Sequence, residues 1–306
     1  MTRRAAFRSR ADSGPMDVAQ QLHRLGGVAR RHEIEEVTGR RALEEAVASG
    51  AVVRVARGRY ALPLADAARD AALQLTGTAI LLSAASAWGW PTKWPAARPQ
   101  VAVPPGRTVE PAVREKYDVR WRAVPHDQRV DGWLASRVRT VHDCCALLPF
   151  DEALCVVDAA LAEGRVSPRM LADVAHLPPR VRAKVLPVVE QGTQRSGGPF
   201  ETVVRAVALD VAGLGLRPQV TIRDADGVVG RVDLADERLR IVVEADSSEF
   251  HAGRADFARD CERYSRLTVA GWLVVRVPWV VAMHHPERLR QWLERAVALR
   301  LDGRPG

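Results

Sequence analysis

Apolar and polar positions along this chain change period several times, and each change marks an element. In residues 16–62, Val18, Leu22 and Leu25 keep helical spacing until Gly26 and Gly27 stop it. A second short helix is predicted over 31–37, ended by Thr38 and Gly39. A third is predicted over 40–49, with Leu43, Ala46 and Val47 facing inward before Gly50. Residues 52–55 and 59–62 then flank Ala56, Arg57 and Gly58 as a hairpin. Farther on, 101–104 and 119–121 read as strands, and the proline-rich stretch 91–99 reads as loop. Residues 187–199 lose periodicity, and their Gly, Pro and polar content marks the best domain boundary. After it come a helix over 200–211, with Pro199 at its first position, and strands near 219–222, 230–234 and 241–246. A helix over 253–270 follows, with Phe257, Cys261, Tyr264 and Leu267 on one stripe. A strand over 272–277 stopped by Pro278 and a helix over 286–299 complete the pattern.

A chain of 306 residues exceeds one ordinary core, so an α/β multidomain protein is expected. Its parts are a basic arm (1–15), a front module (16–62), an α+β middle domain (63–190) and a C-terminal α/β domain (191–306). Hydrophobic content of 47% and charged content of 27% describe a globular protein. No apolar run follows Arg3, Arg4, Arg8 and Arg10, and no window approaches a membrane span, so a cytoplasmic location and no membrane partner are expected. The net charge of +8 and the isoelectric point near 10.0 favour a polyanionic partner. The excess is concentrated at the front: residues 1–62 hold 12 basic against 7 acidic side chains, whereas 191–306 hold 17 against 16. Cys144, Cys145, Cys155 and Cys261 show no zinc-binding spacing and are expected to be reduced and buried. Trp88, Trp90 and Trp94, among prolines, read as core caps rather than as a base-stacking platform.

The order of three helices and a hairpin in 16–62 is that of a winged helix-turn-helix. Arg40 and Arg41 at the start of the third helix, with Arg54, Arg57 and Arg59 on the wing, are then the candidate DNA contacts. The plainer alternative is a solvated basic face on a packing module. This segment, with its Gly-Arg-Tyr-Ala-Leu-Pro ending (58–63), resembles the N-terminal domain of AbiEi-type antitoxins. The resemblance continues through 80–90, through the Arg-Thr-x-x-Asp segment at 139–143 and through the helix at 153–164. It implies sequence-specific DNA binding and autoregulation.

The strongest chemical signal is the acidic hairpin. Glu244 and Asp246 are two apart on a strand and share a face, and a turn centred near Glu237 sets Asp233 beside 242–244. Three carboxylates in an apolar ladder are costly unless a cation neutralises them, and hard oxygen ligands suit Mg²⁺ or Mn²⁺. That pattern points to metal-assisted chemistry on a phosphate.

The order of elements after 191 resembles the PD-(D/E)XK superfamily of restriction-endonuclease-like folds, and more narrowly the very-short-patch-repair (Vsr)-like endonucleases. The resemblance rests on Phe200-Glu201, 232–234, 243–246, His251, Asp260 with Arg263, and 271–276. The lysine usual two residues after the motif glutamate is Asp246 here, and 191–306 contain no lysine. In the Vsr-like group that position is commonly acidic. The implied roles are Asp233 and Glu244 as metal ligands, Asp246 orienting water or a second cation, and His251 as general acid or base. Glu201 would complete the metal shell, and Arg263 and Arg276 would hold the phosphate. Each has a plainer alternative: a helix-start glutamate, a loop histidine, a surface pair of Asp260 with Arg263, and Arg276 as partner of a carboxylate. The function expected is a DNA-binding, metal-dependent endonuclease. The alternative is an antitoxin-like regulator with a degenerate nuclease domain, with a partner toxin or self-association left open.

Overall fold

The computed structural model describes residues 17–25, 27–246 and 254–302. The front module contains α1 (Val18–Arg24), β1 (Val28–Arg30), α2 (Arg31–Thr38), α3 (Arg40–Ala48), β2 (Val53–Ala56) and β3 (Arg59–Ala61), with sheet order β1-β3-β2. Val18, Leu22, Ile34, Leu43 and Val52 form its core. Val47, expected inward, is 37% exposed, because Leu43 and Ala46 already fill the inner stripe of α3. Strand β1 is only three residues long, too short to leave a periodic signal.

The middle region begins with α4 (Leu64–Gln74), β4 (Thr78–Ala79), α5 (Leu81–Ala87), β5 (Gln100–Val103), α6 (Pro111–Lys116) and β6 (Asp118–Trp121). After a short turn of 3-10 helix come β7 (Arg129–Val130), β8 (Leu134–Ala135), α7 (Arg137–Leu147), α8 (Phe150–Glu163), α9 (Pro168–Ala172) and α10 (Pro179–Val189). Its five strands run in the order β6-β5-β4-β8-β7. Trp90 is buried with its indole N–H donating to Glu163, and Trp88 donates to the Ala135 carbonyl, so both cap the core. Cys144, Cys145 and Cys155 are buried thiols.

The last region holds α11 (Pro199–Leu209), β9 (Arg217–Asp224), β10 (Gly227–Asp236), β11 (Ile241–Asp246), α12 (Arg254–Val269), β12 (Leu273–Pro278), α13 (Trp279–His284) and α14 (Pro286–Asp302). The sheet order is β12-β11-β10-β9, with β9, β10 and β11 antiparallel and β12 parallel to β11. Helix α12 supplies the crossover that a parallel pair requires. Helices α11 and α14 cover one face of the sheet, and α12 covers the other. Ile241, Val242 and Val243 are therefore buried in succession, as in a strand covered on both faces. Cys261, expected on the inner stripe of α12, is exposed: Arg263, Tyr264 and Leu267 take the inner face. The protein is thus of mixed α/β class, with three sheets among the described residues. Among the described residues, no helix is long and apolar enough to cross a membrane.

The stretch whose composition reads as linker is fastened on both sides. Helix α10 runs through 187–189, with Pro187 inside it. Asp158 on α8 accepts from Arg205 Nη2 on both carboxylate oxygens at 2.7 and 3.0 Å, from the Thr202 hydroxyl at 2.8 Å and from the Thr193 backbone N–H at 2.8 Å. Arg205 also donates to the Gln191 carbonyl at 2.6 Å. Burial pushes the Asp158 carboxyl up from its ordinary range, against the pull of Arg205. The pair therefore contributes little against an apolar substitute, but removing one partner strands a buried charge. Asp158→Ala is expected to lower unfolding stability by about 3–5 kcal/mol, measured by urea denaturation. A loss no larger than that of an exposed control such as Asp210→Ala would refute this role.

Candidate functional site

A row of polar side chains crosses the C-terminal sheet. Val232 pairs with Val220 and Leu234 with Pro218, so Asp233 on β10 stands beside Gln219 on β9. Leu234 pairs with Val243, which sets Asp233 beside Glu244 on β11, and Glu244 pairs with Arg276 on β12. The two carboxylates are tied to each other's strands. Asp233 Oδ2 accepts from the Ala245 N–H at 2.9 Å, and Glu244 Oε2 accepts from the Asp233 N–H at 3.2 Å. Glu201 joins them from the first turn of α11. Its Oε2 accepts from Gln219 Nε2 and from the Gly197 N–H, both at 2.8 Å. Glycine suits position 197 because a Cβ there would meet the Glu201 carboxylate at 2.1 Å. Gln219 has φ of +56°, uncommon for a residue with a side chain, in the strand position that bridges Glu201 and Asp233.

Two arginines close the row. Arg263 Nη1 donates to Glu244 Oε1 at 2.7 Å, whereas its distance to Asp260 is 3.8 Å, so Glu244 rather than its helix neighbour is its main partner. Arg263 passes over Gly230, where a Cβ would come within 3.2 Å of its Cδ. Arg276 pairs with Asp246 at 2.5 Å, the carboxylate-partner alternative for that residue. Both guanidinium groups lie over the Tyr264 ring, at 4.8 and 4.5 Å from its centroid, so Tyr264 sets their planes. Burial and the neighbouring Glu244 push the Tyr264 hydroxyl up to about 12.

Burial, with the charge of Asp233 next, pushes Glu201 up to about 7 and Glu244 up to about 7, the latter against the opposing pull of Arg263. Burial raises Asp233 as well. One electrostatic unit of three carboxyls therefore sits in a region that disfavours its full ionisation. Among the described residues, no group of three or more His, Cys, Asp or Glu side chains is already arranged as a metal cage. The oxygens that would turn toward a cation are held by Gln219, Arg263 and backbone N–H groups. His251 lies outside the described residues.

Glu201 and Asp246 also border a cavity of about 310 Å³ whose far wall is the front module. Arg24, Arg30 and Arg59 line that wall, and Trp279 lines the near one. The module is seated by Arg24 over the Trp279 ring at 5.5 Å, by His23 beside Trp94 at 6.5 Å, and by Arg59 Nη1 donating to the Gly89 carbonyl at 3.4 Å. Arg40 and Arg41, the predicted contacts on α3, form exposed pairs with Glu44 and Glu45 at 2.8 Å each. Arg54 and Arg57 lie exposed on the hairpin strand and its turn. Gln219, Tyr264 and Arg205 were not expected at a site. The position of Gln219 beside Asp233 follows from strand register, whereas Tyr264 and Arg205 need the helix packing.

The raised carboxyls fix a pH dependence. Folding holds protons on Glu201 and Glu244 that the unfolded chain releases near its ordinary carboxyl range, so stability falls as pH rises toward about 7. Asp233→Asn removes the charge common to both shifts. In chelator, its unfolding stability at pH 8 is expected to exceed the wild type's by roughly 1–2 kcal/mol, with the gap closing near pH 4.5. A variant less stable than wild type at pH 8 would refute the repulsive cluster.

No known family model matches the chain. Two proteins of Mycobacterium tuberculosis described as uncharacterized, MT2308 of strain CDC 1551 / Oshkosh and Rv2248 of strain ATCC 25618 / H37Rv, are each 31% identical to it over 266 residues. Each alignment spans 84% of this chain and 96% of the relative. Among solved structures, the crystal structure of the RV2827C protein from Mycobacterium tuberculosis aligns with 61% of this chain and 78% of its own, at 14% identity and a TM-score of 0.33, a likeness too slight to define the fold. With that identity and coverage, the chain belongs to the same family as MT2308 and Rv2248.

Proposed function

We propose that this protein binds DNA through its front module and hydrolyses phosphodiester bonds with a divalent cation held by its C-terminal domain. The observation that carries the reading is the convergence of Glu201, Asp233 and Glu244 on one sheet face, Glu244 buried and the other two half-buried, joined through Gln219 and the facing backbone N–H groups. Such a group destabilises an apolar sheet and is retained where chemistry needs it. The order of helix, three antiparallel strands, helix and parallel strand supports a PD-(D/E)XK, Vsr-like domain. Three helices with a terminal hairpin support a winged helix-turn-helix in front of an AbiEi-like middle region.

The donor set fits Mg²⁺ or Mn²⁺, since all three groups offer hard oxygens and Arg263 on Glu244 is their one close cationic partner among the described residues. Asp233 and Glu244 would hold the cation, with Glu201 beside them. When bound, it polarises a phosphate oxygen and lowers the pKa of a bound water. Arg263, released from Glu244, would donate to the phosphate, and Tyr264 would keep its guanidinium plane in place. Asp246, held by Arg276 at the edge of the cavity, would orient water, with His251 proposed as acid or base. The basic side chains proposed for DNA are Arg40, Arg41, Arg54, Arg57 and Arg59.

A second reading is favoured by the pairing of Glu244 with Arg263 and of Asp246 with Arg276, and by the absence of lysine from 191–306. In it the domain is a degenerate binding module, and the protein is an antitoxin-like regulator that works with a partner toxin or by self-association. A cleavage assay over Mg²⁺ and Mn²⁺ with duplex, mismatched and single-stranded DNA separates the two. Wild-type cleavage that Asp233→Ala and Glu244→Ala each reduce about a hundredfold or more supports the nuclease. Folded wild type with no cleavage under any of these conditions, and no calorimetric Mn²⁺ binding sensitive to Asp233→Asn, supports the regulator.

A further inference from the structure

We propose that a notch between the start of α2 and the β2–β3 turn binds a phosphate group, and that this notch rather than the start of α3 is the main contact with nucleic-acid backbone; the second half of the statement rests on the DNA-binding reading. The notch measures about 420 Å³ and is lined by Arg30, Arg31, His32, Arg57, Gly58 and Arg59, with Glu35 as its one acidic wall residue. Glu35 is already engaged by Arg31 Nε at 2.7 Å. Arg30, Arg57 and Arg59 also line the notch, Arg59 while donating to the Gly89 carbonyl, and among the described residues no carboxylate besides Glu35 lines it.

Strand register makes that imbalance costly. Arg30 and Arg59 are direct partners across the antiparallel β1–β3 pair, where like charges repel. The arrangement is rigid: the Gly58 carbonyl accepts from the Arg31 N–H at 2.9 Å, pinning the hairpin turn to the first turn of α2. Gly58 has φ of +70°, which a side chain at the turn would oppose. A phosphate in the notch would take guanidinium forks from two elements at once and relieve the repulsion between them. The start of α3 lacks this property, because Arg40 and Arg41 are each offset by a glutamate one turn along the same helix. The phosphate could belong to a nucleic-acid backbone or to a free phosphorylated molecule, and the two sources are separable.

The test uses the full chain, a mixed-sequence DNA duplex read by fluorescence anisotropy across a salt series, and inorganic phosphate read by phosphorus NMR. The double variant R30A/R57A is expected to weaken duplex binding about tenfold or more and to flatten the logarithmic salt slope by about two. R40A/R41A is expected to change each quantity less. Arg57→Glu, at an exposed turn position, serves as a second variant should the double one fail to fold. Duplex binding that R30A/R57A and Arg57→Glu leave unchanged, or that R40A/R41A weakens at least as much, overturns the proposal while leaving the DNA-binding reading intact. Phosphate binding abolished by R30A/R57A, with no duplex binding by the wild type, keeps the notch as a site for a free phosphorylated molecule and removes the DNA reading. Binding of neither duplex nor phosphate overturns the proposal.

Discussion

The buried pair between Asp158 and Arg205 is the constraint on which the arrangement of the last two regions depends. Arg205 lies one helical turn beyond Glu201 on α11, so the contact that fixes Arg205 against α8 also fixes where Glu201 points. Asp158 additionally holds Thr202 and the Thr193 backbone, which leaves the connection between α10 and α11 little freedom. Desolvation pushes this carboxyl up, and Arg205, the Thr193 N–H and the Thr202 hydroxyl pull against it. A buried charge held by several directional partners tolerates few geometries, and geometric demand is what an apolar seam alone would lack.

Around α11 the sheet carries a second unfavourable arrangement, the row of Gln219, Asp233, Glu244 and Arg276. Its members are held by one another's strands: backbone N–H groups of β10 and β11 bond the facing carboxylates, and Arg263 and Gln219 close the ends. These bonds offset part of the desolvation but leave the carboxyls raised. The cluster therefore remains short of positive charge in the interior. The front module presents the converse, cations that outnumber nearby acids around the hairpin turn. The two imbalances lie on either side of Arg30 and Arg59, which border both the inner cavity and the outer notch.

The acidic hairpin was legible because strand periodicity is strict: two residues apart means one face, and a short turn fixes the facing residue to within a step. The Asp233–Glu244 neighbourhood follows from that alone. The helices of the front module were legible from spacing and glycine stops, and the core-capping tryptophans from their setting among prolines. Cys261 and Val47 were misplaced because a helical stripe can rotate by one position without changing its period. The plainer alternative for Arg263, a surface pair with Asp260, overlooks Glu244, since nothing local to a helix reports a strand lying beneath it.

What the sequence by itself determined is the set of elements, their order, and the carboxylates that share one strand face, because these depend on local periodicity and turn chemistry. What only the tertiary structure decided is which charges meet: Asp158 with Arg205, Glu201 with Gln219, Glu244 with Arg263, and Arg30 opposite Arg59. Most of these contacts join residues many positions apart, and Coulomb and desolvation energies depend on distance in space and on burial, neither of which a linear pattern encodes.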